Sequence, residues 1–134
     1  MTSRPTADKP LFLNRDDGVG FVTPAPATRD VRVLLSPLLQ EGMGDFAVGM
    51  TQIPAGVVGT RHSHPGTTEV WMILSGRGRA RIGDEDRPVA PGDVVYTPPG
   101  VNHQFVNDGD EPVTVYFLYS PSGAEQRVLD GGFL

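Results

Sequence analysis

The sequence predicts an all-β protein, a closed barrel or a sandwich of short strands, and three observations lead to it. Apolar runs of strand length recur along the chain. Turn residues separate them, drawn from 17 Gly and 13 Pro in 134 residues. Little chain is left over for helix.

In chain order, the expected strands are VRVLL from Val31, FAVGMTQI from Phe46, EVWMIL from Glu69, RARI from Arg79, VVYT from Val94, HQFV from His103 and VTVYFLY from Val113. Each is rich in β-branched or aromatic residues. Between them stand Pro54-Ala55-Gly56, Pro65-Gly66, Gly83-Asp84, Pro91-Gly92, Pro98-Pro99-Gly100 and Asn107-Asp108-Gly109-Asp110. Such residues suit turns because Pro presets φ while Gly and Asn tolerate positive φ. Only SPLLQEGMG from Ser36 and SPSGAEQRVLDGG from Ser120 have room for a short helical turn. Closing the strands on themselves would hide edges that otherwise invite aggregation. The length fits one domain: residues 31–134 as a single barrel, preceded at 1–30 by an arm that is partly disordered or contacts a partner subunit.

Composition narrows the function classes. The net charge of -5 and a single lysine, Lys9, leave no basic stripe to neutralise a phosphate backbone, so nucleic acid is not an expected partner. Without cysteine there is no disulfide, iron-sulfur cluster or thiolate nucleophile, which is compatible with a reducing cytoplasm. Residues 1–30 contain only the brief apolar run Leu11-Phe12-Leu13, so neither a signal peptide nor a membrane span is expected.

The three histidines carry the chemistry. Strand side chains at i and i+2 leave from one face, about 6.6 Å apart along the chain, so His62 and His64 can converge on one ion while Ser63 points away. Pro65-Gly66 then turns the chain, and Glu69 can return a carboxylate to the same face. The remaining histidine, His103, follows Thr97-Pro98-Pro99-Gly100 at the start of a later strand. An isolated histidine is ordinarily a surface or core residue; here all three fit one site.

These residues resemble the two motifs of the cupins. The first, G-x5-H-x-H-x4-E-x6-G, is matched by Gly56, His62, His64, Glu69 and Gly76, and the second, G-x5-P-x-G-x2-H-x3-N, by Gly92, Pro98, Gly100, His103 and Asn107. The 15 residues from Arg77 to Pro91 lie between them, as in compact single-domain members. The resemblance implies an antiparallel jelly-roll β-barrel that holds one divalent transition metal through His62, His64, Glu69 and His103. It also implies a homodimer.

Three imidazoles and a carboxylate would close a tetrahedral zinc site, whereas an octahedral ion would keep two positions open. Nitrogen and oxygen ligands without thiolate suit Fe(II) or Mn(II), which are favoured, and admit Ni(II), Co(II) and Zn(II). With every histidine engaged, a metal-bound water is the first candidate base. Tyr96, Tyr116 and Tyr119 are weaker candidates for proton transfer.

Strand parity places Trp71 and Ile73 on the face of Glu69, and Phe105 and Asn107 on that of His103, so Trp71 and Phe105 would wall a substrate pocket. Arg61, beside His62, is the arginine best placed to bind a substrate carboxylate. Arg77, Arg79 and Arg81 read as a solvated strand face.

The expected function is that of a metal-dependent enzyme acting on a small aromatic, enol-containing or carboxylated molecule, with an oxygen-dependent dioxygenase foremost. A non-redox isomerase, cyclase or decarboxylase is the alternative. A non-catalytic binding or sensing module is a further one, although the barrel takes up nearly all of these residues and leaves no space for a DNA-binding helix-turn-helix.

Overall fold

The computed structural model describes residues 8–131, so residues 1–7 of the expected arm and 132–134 of the expected barrel lie outside it. Nine strands form: β1 (Val19–Val22), β2 (Asp30–Leu35), β3 (Ala47–Ile53), β4 (Thr68–Ser75), β5 (Gly78–Ile82), β6 (Glu85–Val89), β7 (Val94–Thr97), β8 (His103–Val106) and β9 (Val113–Ser120). A 3-10 turn at Arg15–Asp17 precedes them and a short helix, α1 (Gln126–Leu129), follows.

All pairings are antiparallel. One sheet has the order β1-β2-β3-β9-β4-β7 and the other β6-β5-β8. The chain from Val57 to His62 runs beside β8, with Gly59 N donating to Phe105 O at 2.8 Å, and so extends the smaller sheet.

The seven expected strands all form, within a residue or two of their expected limits. Of the two helical turns, the one after Ser120 becomes α1. The other stops at a single turn, in which Leu39 N and Gln40 N both donate to Ser36 O.

Two strands have little sequence signal. β1 starts the larger sheet at Val19, within the stretch set apart as an arm. β6, Glu-Asp-Arg-Pro-Val, is polar, and it forms because Gly83-Asp84 returns the chain onto β5, pairing Ile82 with Glu85. There Asp86 Oδ1 and Oδ2 accept from Arg79 Nε at 2.8 Å and Arg81 Nε at 3.2 Å, and Pro88 is tolerated because β6 is an edge.

Alternation decides what fills the barrel. Val31 and Val33 of β2, Trp71 and Ile73 of β4, Phe105 of β8, and Val113, Val115, Phe117 and Tyr119 of β9 are buried in one core. Gly49 sits opposite Phe117, whose ring occupies the space that a Cβ would need.

A separate buried network anchors the C-terminal segment. Glu125, wholly buried, accepts from Ser36 Oγ at 2.6 Å and from Gly123 N, while Gln40 Nε2 donates to Leu34 O at 2.9 Å. Val128, in the helix that follows, is buried in the core. Glu125→Ala strands the Ser36 hydroxyl and the Gly123 amide, so we expect a loss of about 2–4 kcal/mol in urea unfolding; a loss under about 0.5 kcal/mol would show that this network does not hold the segment.

Candidate metal centre

The three ligand-bearing segments are brought together by the sheets. Glu69 is the second residue of β4 and points inward. His103 opens β8 and is almost wholly buried. His62 and His64 lie in the connection between β3 and β4, not in a strand proper, but the connection is extended where it matters. His62 forms an isolated bridge with His103, with N to O distances of 3.0 and 2.7 Å in the two directions. Gly100 N, from the Pro98-Pro99-Gly100 turn, donates to His64 O at 3.1 Å and so ties the second motif to the first.

One nitrogen from each histidine and one oxygen of Glu69 lie within 4.8 Å of one another. His62 Nδ1 is 2.8 Å from Thr60 O and His103 Nδ1 is 3.1 Å from Val101 O. A carbonyl can only accept, so in each ring Nδ1 carries the proton and, in the neutral imidazole, Nε2 presents its lone pair. Glu69 is oriented in a similar way, since its Oε2 accepts from Trp71 Nε1 at 2.6 Å and Oε1 is left to face the histidines.

That arrangement fits a cation. Glu69 Oε1 lies 2.8 Å from His103 Nε2 and 3.4 Å from His64 Nε2, yet all three atoms are buried without an aligned hydrogen-bond partner. Lone pairs directed at one another in a dry site repel unless a positive charge lies between them. Burial, as the largest influence, lowers the His62 pKa to about 4, which keeps that imidazole neutral and able to ligate. Burial works to raise the carboxyl of Glu69, yet it is held at about 2, in part by the Trp71 indole that donates to Oε2. The site therefore offers three imidazole nitrogens and one carboxylate oxygen.

A small cavity adjoins the cluster, with His62 and Glu69 in its lining. Trp71 and Phe105 both line it, their ring centroids 5.7 Å apart. Phe117 and Tyr119, 4.9 Å apart, line it beside Trp71 on the adjoining strand, and the Tyr119 ring is 5.2 Å from that of His64. Burial, with the charge of Glu69 adding to it, raises the Tyr119 phenol well above 10, so it stays a proton donor at neutral pH.

The other expected candidates lie elsewhere. Tyr96 is 60% exposed on β7, and Tyr116 is on the outer face of β9 between Met50 and Met72. Odd-numbered residues of β9 point inward, so of the three tyrosines only Tyr119 reaches the cavity. Arg61 is exposed, and its Nη2 donates to Gly83 O at 3.2 Å. The arginine that does line the cavity is Arg29. Its signal was parity, because it is two residues before the inward-facing Val31, but the stretch had been set apart as an arm.

This fold and cluster define a cupin, and the chain belongs to that family: residues 49–119 match the Cupin domain. It is 32% identical to a gentisate 1,2-dioxygenase from a Ralstonia species, over 92% of this chain and 38% of that protein. It is also 32% identical to a glucose-6-phosphate isomerase from Pyrococcus abyssi, over 60% of this chain and 49% of that one. The chain thus spans less than half the length of either enzyme. Among solved structures, a predicted oxalate decarboxylase from Thermotoga maritima superposes with a TM-score of 0.72 at 20% identity, covering 81% of this chain and 97% of that one.

Replacing Trp71 with Phe keeps an aromatic wall but frees Glu69 Oε2. Partners that orient a ligand in this way commonly affect metal affinity 10–100-fold, and we expect the affinity for added Mn(II) to fall by about that factor. Titration of the metal-free protein measures it, and unchanged affinity would show that the indole does not position the carboxylate.

Proposed function

We propose that this protein is a metal-dependent enzyme acting on a small carboxylated, aromatic or enol-containing molecule, and that its reaction is an oxygen-dependent dioxygenation. The observation that carries this reading is the convergence of four buried ligand atoms at the edge of a cavity with aromatic walls. Likeness to the gentisate 1,2-dioxygenase over 92% of this chain supports the oxygen-dependent form.

His62, His64, Glu69 and His103 would hold the ion, with Fe(II) or Mn(II) the best match to three imidazoles and a carboxylate. Such an ion would supply a Lewis acid and, in the case of iron, a redox centre. The chain's own residues do the rest. Trp71 and the carbonyls of Thr60 and Val101 hold the ligands in register. Trp71, Phe105 and Phe117 exclude water from the reacting molecule, and the Tyr119 hydroxyl supplies a proton donor beside His64.

A non-redox isomerisation is the second reading, supported by likeness to the Pyrococcus abyssi isomerase. Oxygen uptake separates the two. Protein loaded anaerobically with Fe(II), and separately with Mn(II), should consume oxygen with a catechol, a β-diketone or a small aromatic acid. Conversion of substrate without uptake would support the non-redox reading.

His103→Ala should lower bound metal well below one ion per chain while leaving the β circular-dichroism spectrum intact, because the apolar barrel supplies most of the folding free energy. Glu69→Gln should weaken binding without abolishing it, since a neutral amide replaces the one anion. Normal metal affinity in Glu69→Gln, with turnover lost, would make Glu69 a proton carrier and not a ligand.

We also propose a cytoplasmic homodimer. Among the described residues no helix is long and apolar enough to cross a membrane. Phe12 is 93% exposed, Leu11 and Leu13 beside it in the chain are exposed as well, and so are Val19 and Val22 of the edge strand β1, apolar surface suited to a second copy. Sedimentation at micromolar concentration should give twice the chain mass of 14.4 kDa; a single monomeric species would refute the dimer.

A further inference from the structure

Besides the metal cluster, the cavity contains two polar groups on one side that the dioxygenase reading does not use. Thr51, in the middle of β3, pairs with Val31 on one neighbouring strand and Val115 on the other. Its side chain points inward among apolar neighbours, and Thr51 is only 8% exposed. The hydroxyl oxygen is buried with no hydrogen-bond partner in the protein, and it lines the same cavity as His62, Glu69 and Trp71.

A threonine in place of valine at such a position costs free energy unless something in the cavity meets its hydroxyl. Arg29 lines this cavity too, as well as a smaller one that opens toward His62, His64 and Tyr119. Its place just before β2 puts it on the parity of Val31, one pairing step diagonal to Thr51. Arg29 is thus a cation against the inner wall, within electrostatic reach of the Glu69 carboxylate.

We propose that Arg29 and Thr51 together form the carboxylate-binding end of the substrate pocket, so that this site selects small monocarboxylates and turns their reacting end toward the histidines. The inference rests on the proposed enzymatic reading for the word substrate, but the anion site itself does not require metal. A guanidinium presents a planar fork of donors that matches a carboxylate, and the hydroxyl can donate one more hydrogen bond to the same group. Arg29 is the one arginine lining the main cavity, which suits a single carboxylate, and Arg127 joins it only along the smaller one. The aromatic walls favour a flat or apolar remainder, and the small cavity limits its size. Substrates of this class would be specified by Arg29 and Thr51, and the reaction by the metal.

The test uses metal-free protein and two probe anions, acetate and benzoate, with acetamide and benzamide as neutral counterparts of the same shape. Calorimetric titration should show that at least one carboxylate binds, that its amide binds at least about tenfold more weakly, and that inorganic phosphate binds more weakly than the carboxylate. Arg29→Gln should weaken carboxylate binding about tenfold or more and Thr51→Val about three- to tenfold, as loss of a charged and of a neutral hydrogen bond would do. Arg29→Lys, which keeps the charge but not the fork, should fall between wild type and Arg29→Gln.

Mn(II) affinity is measured on the same variants and should stay within about twofold of wild type, which separates a lost anion site from a lost fold. Binding of neither carboxylate to wild type, equal binding of acid and amide, tighter binding of phosphate, or unchanged carboxylate binding in Arg29→Gln would each overturn the proposal. Failure of oxygen uptake with carboxylate binding intact would sink the dioxygenase reading and leave the anion site standing.

Discussion

Everything at this centre depends on three imidazole nitrogens and one carboxylate oxygen being held together in a dry place. Atoms of that kind, buried without partners, are expensive, and Glu69 Oε1 facing His103 Nε2 at 2.8 Å is the sharpest instance. A divalent cation turns the same contact from repulsive to favourable. The surrounding contacts are then understandable as devices that prevent the ligands from escaping the encounter. Thr60 O and Val101 O hold the two rings by Nδ1, and the Trp71 indole holds the far oxygen of Glu69. Each leaves a single coordinating atom facing inward.

The barrel supplies the place and the dryness. β4 follows directly on the connection that carries His62 and His64, whereas β8 comes from a later part of the chain, and the pairing of His62 with His103 brings the two motifs into register. Inward residues of β4, β8 and β9 are aromatic near the cluster and aliphatic away from it. The same alternation that buries a core thus also produces a cavity with one polar edge at the ligands and a second at Arg29 and Thr51. Stability and specificity share one sheet face here, so a substitution at Trp71 or Phe117 acts on both.

How much was legible differs from residue to residue. The seven expected strands were visible because β-branched and aromatic runs alternate with turn residues over a few positions, and Glu69, Trp71 and Ile73 fell on one face by period alone. β6 was not visible, since Glu85-Asp86-Arg87-Pro88 has the composition of a loop. It is a strand because a tight turn lays it along β5, where Asp86 meets Arg79 and Arg81. β1 was not visible either, since with most of its side chains exposed it lacks the alternation that marks a half-buried strand. Arg61 attracted notice by standing next to His62, whereas neighbours in an extended chain point to opposite sides.

The sequence by itself marked the candidate ligands and the strand pattern, because most of that signal is local. A His-x-His spacing, a glutamate beyond a Pro-Gly turn and a period of two can be read within a few residues, whatever surrounds them. Tertiary structure alone decided which tyrosine and which arginine share the cavity. Tyr119, Arg29 and Thr51 line one cavity with His62 and Glu69 only across paired strands, where register and not sequence distance sets the neighbours. A shift of one residue in that register would turn each of them to the outside of the barrel.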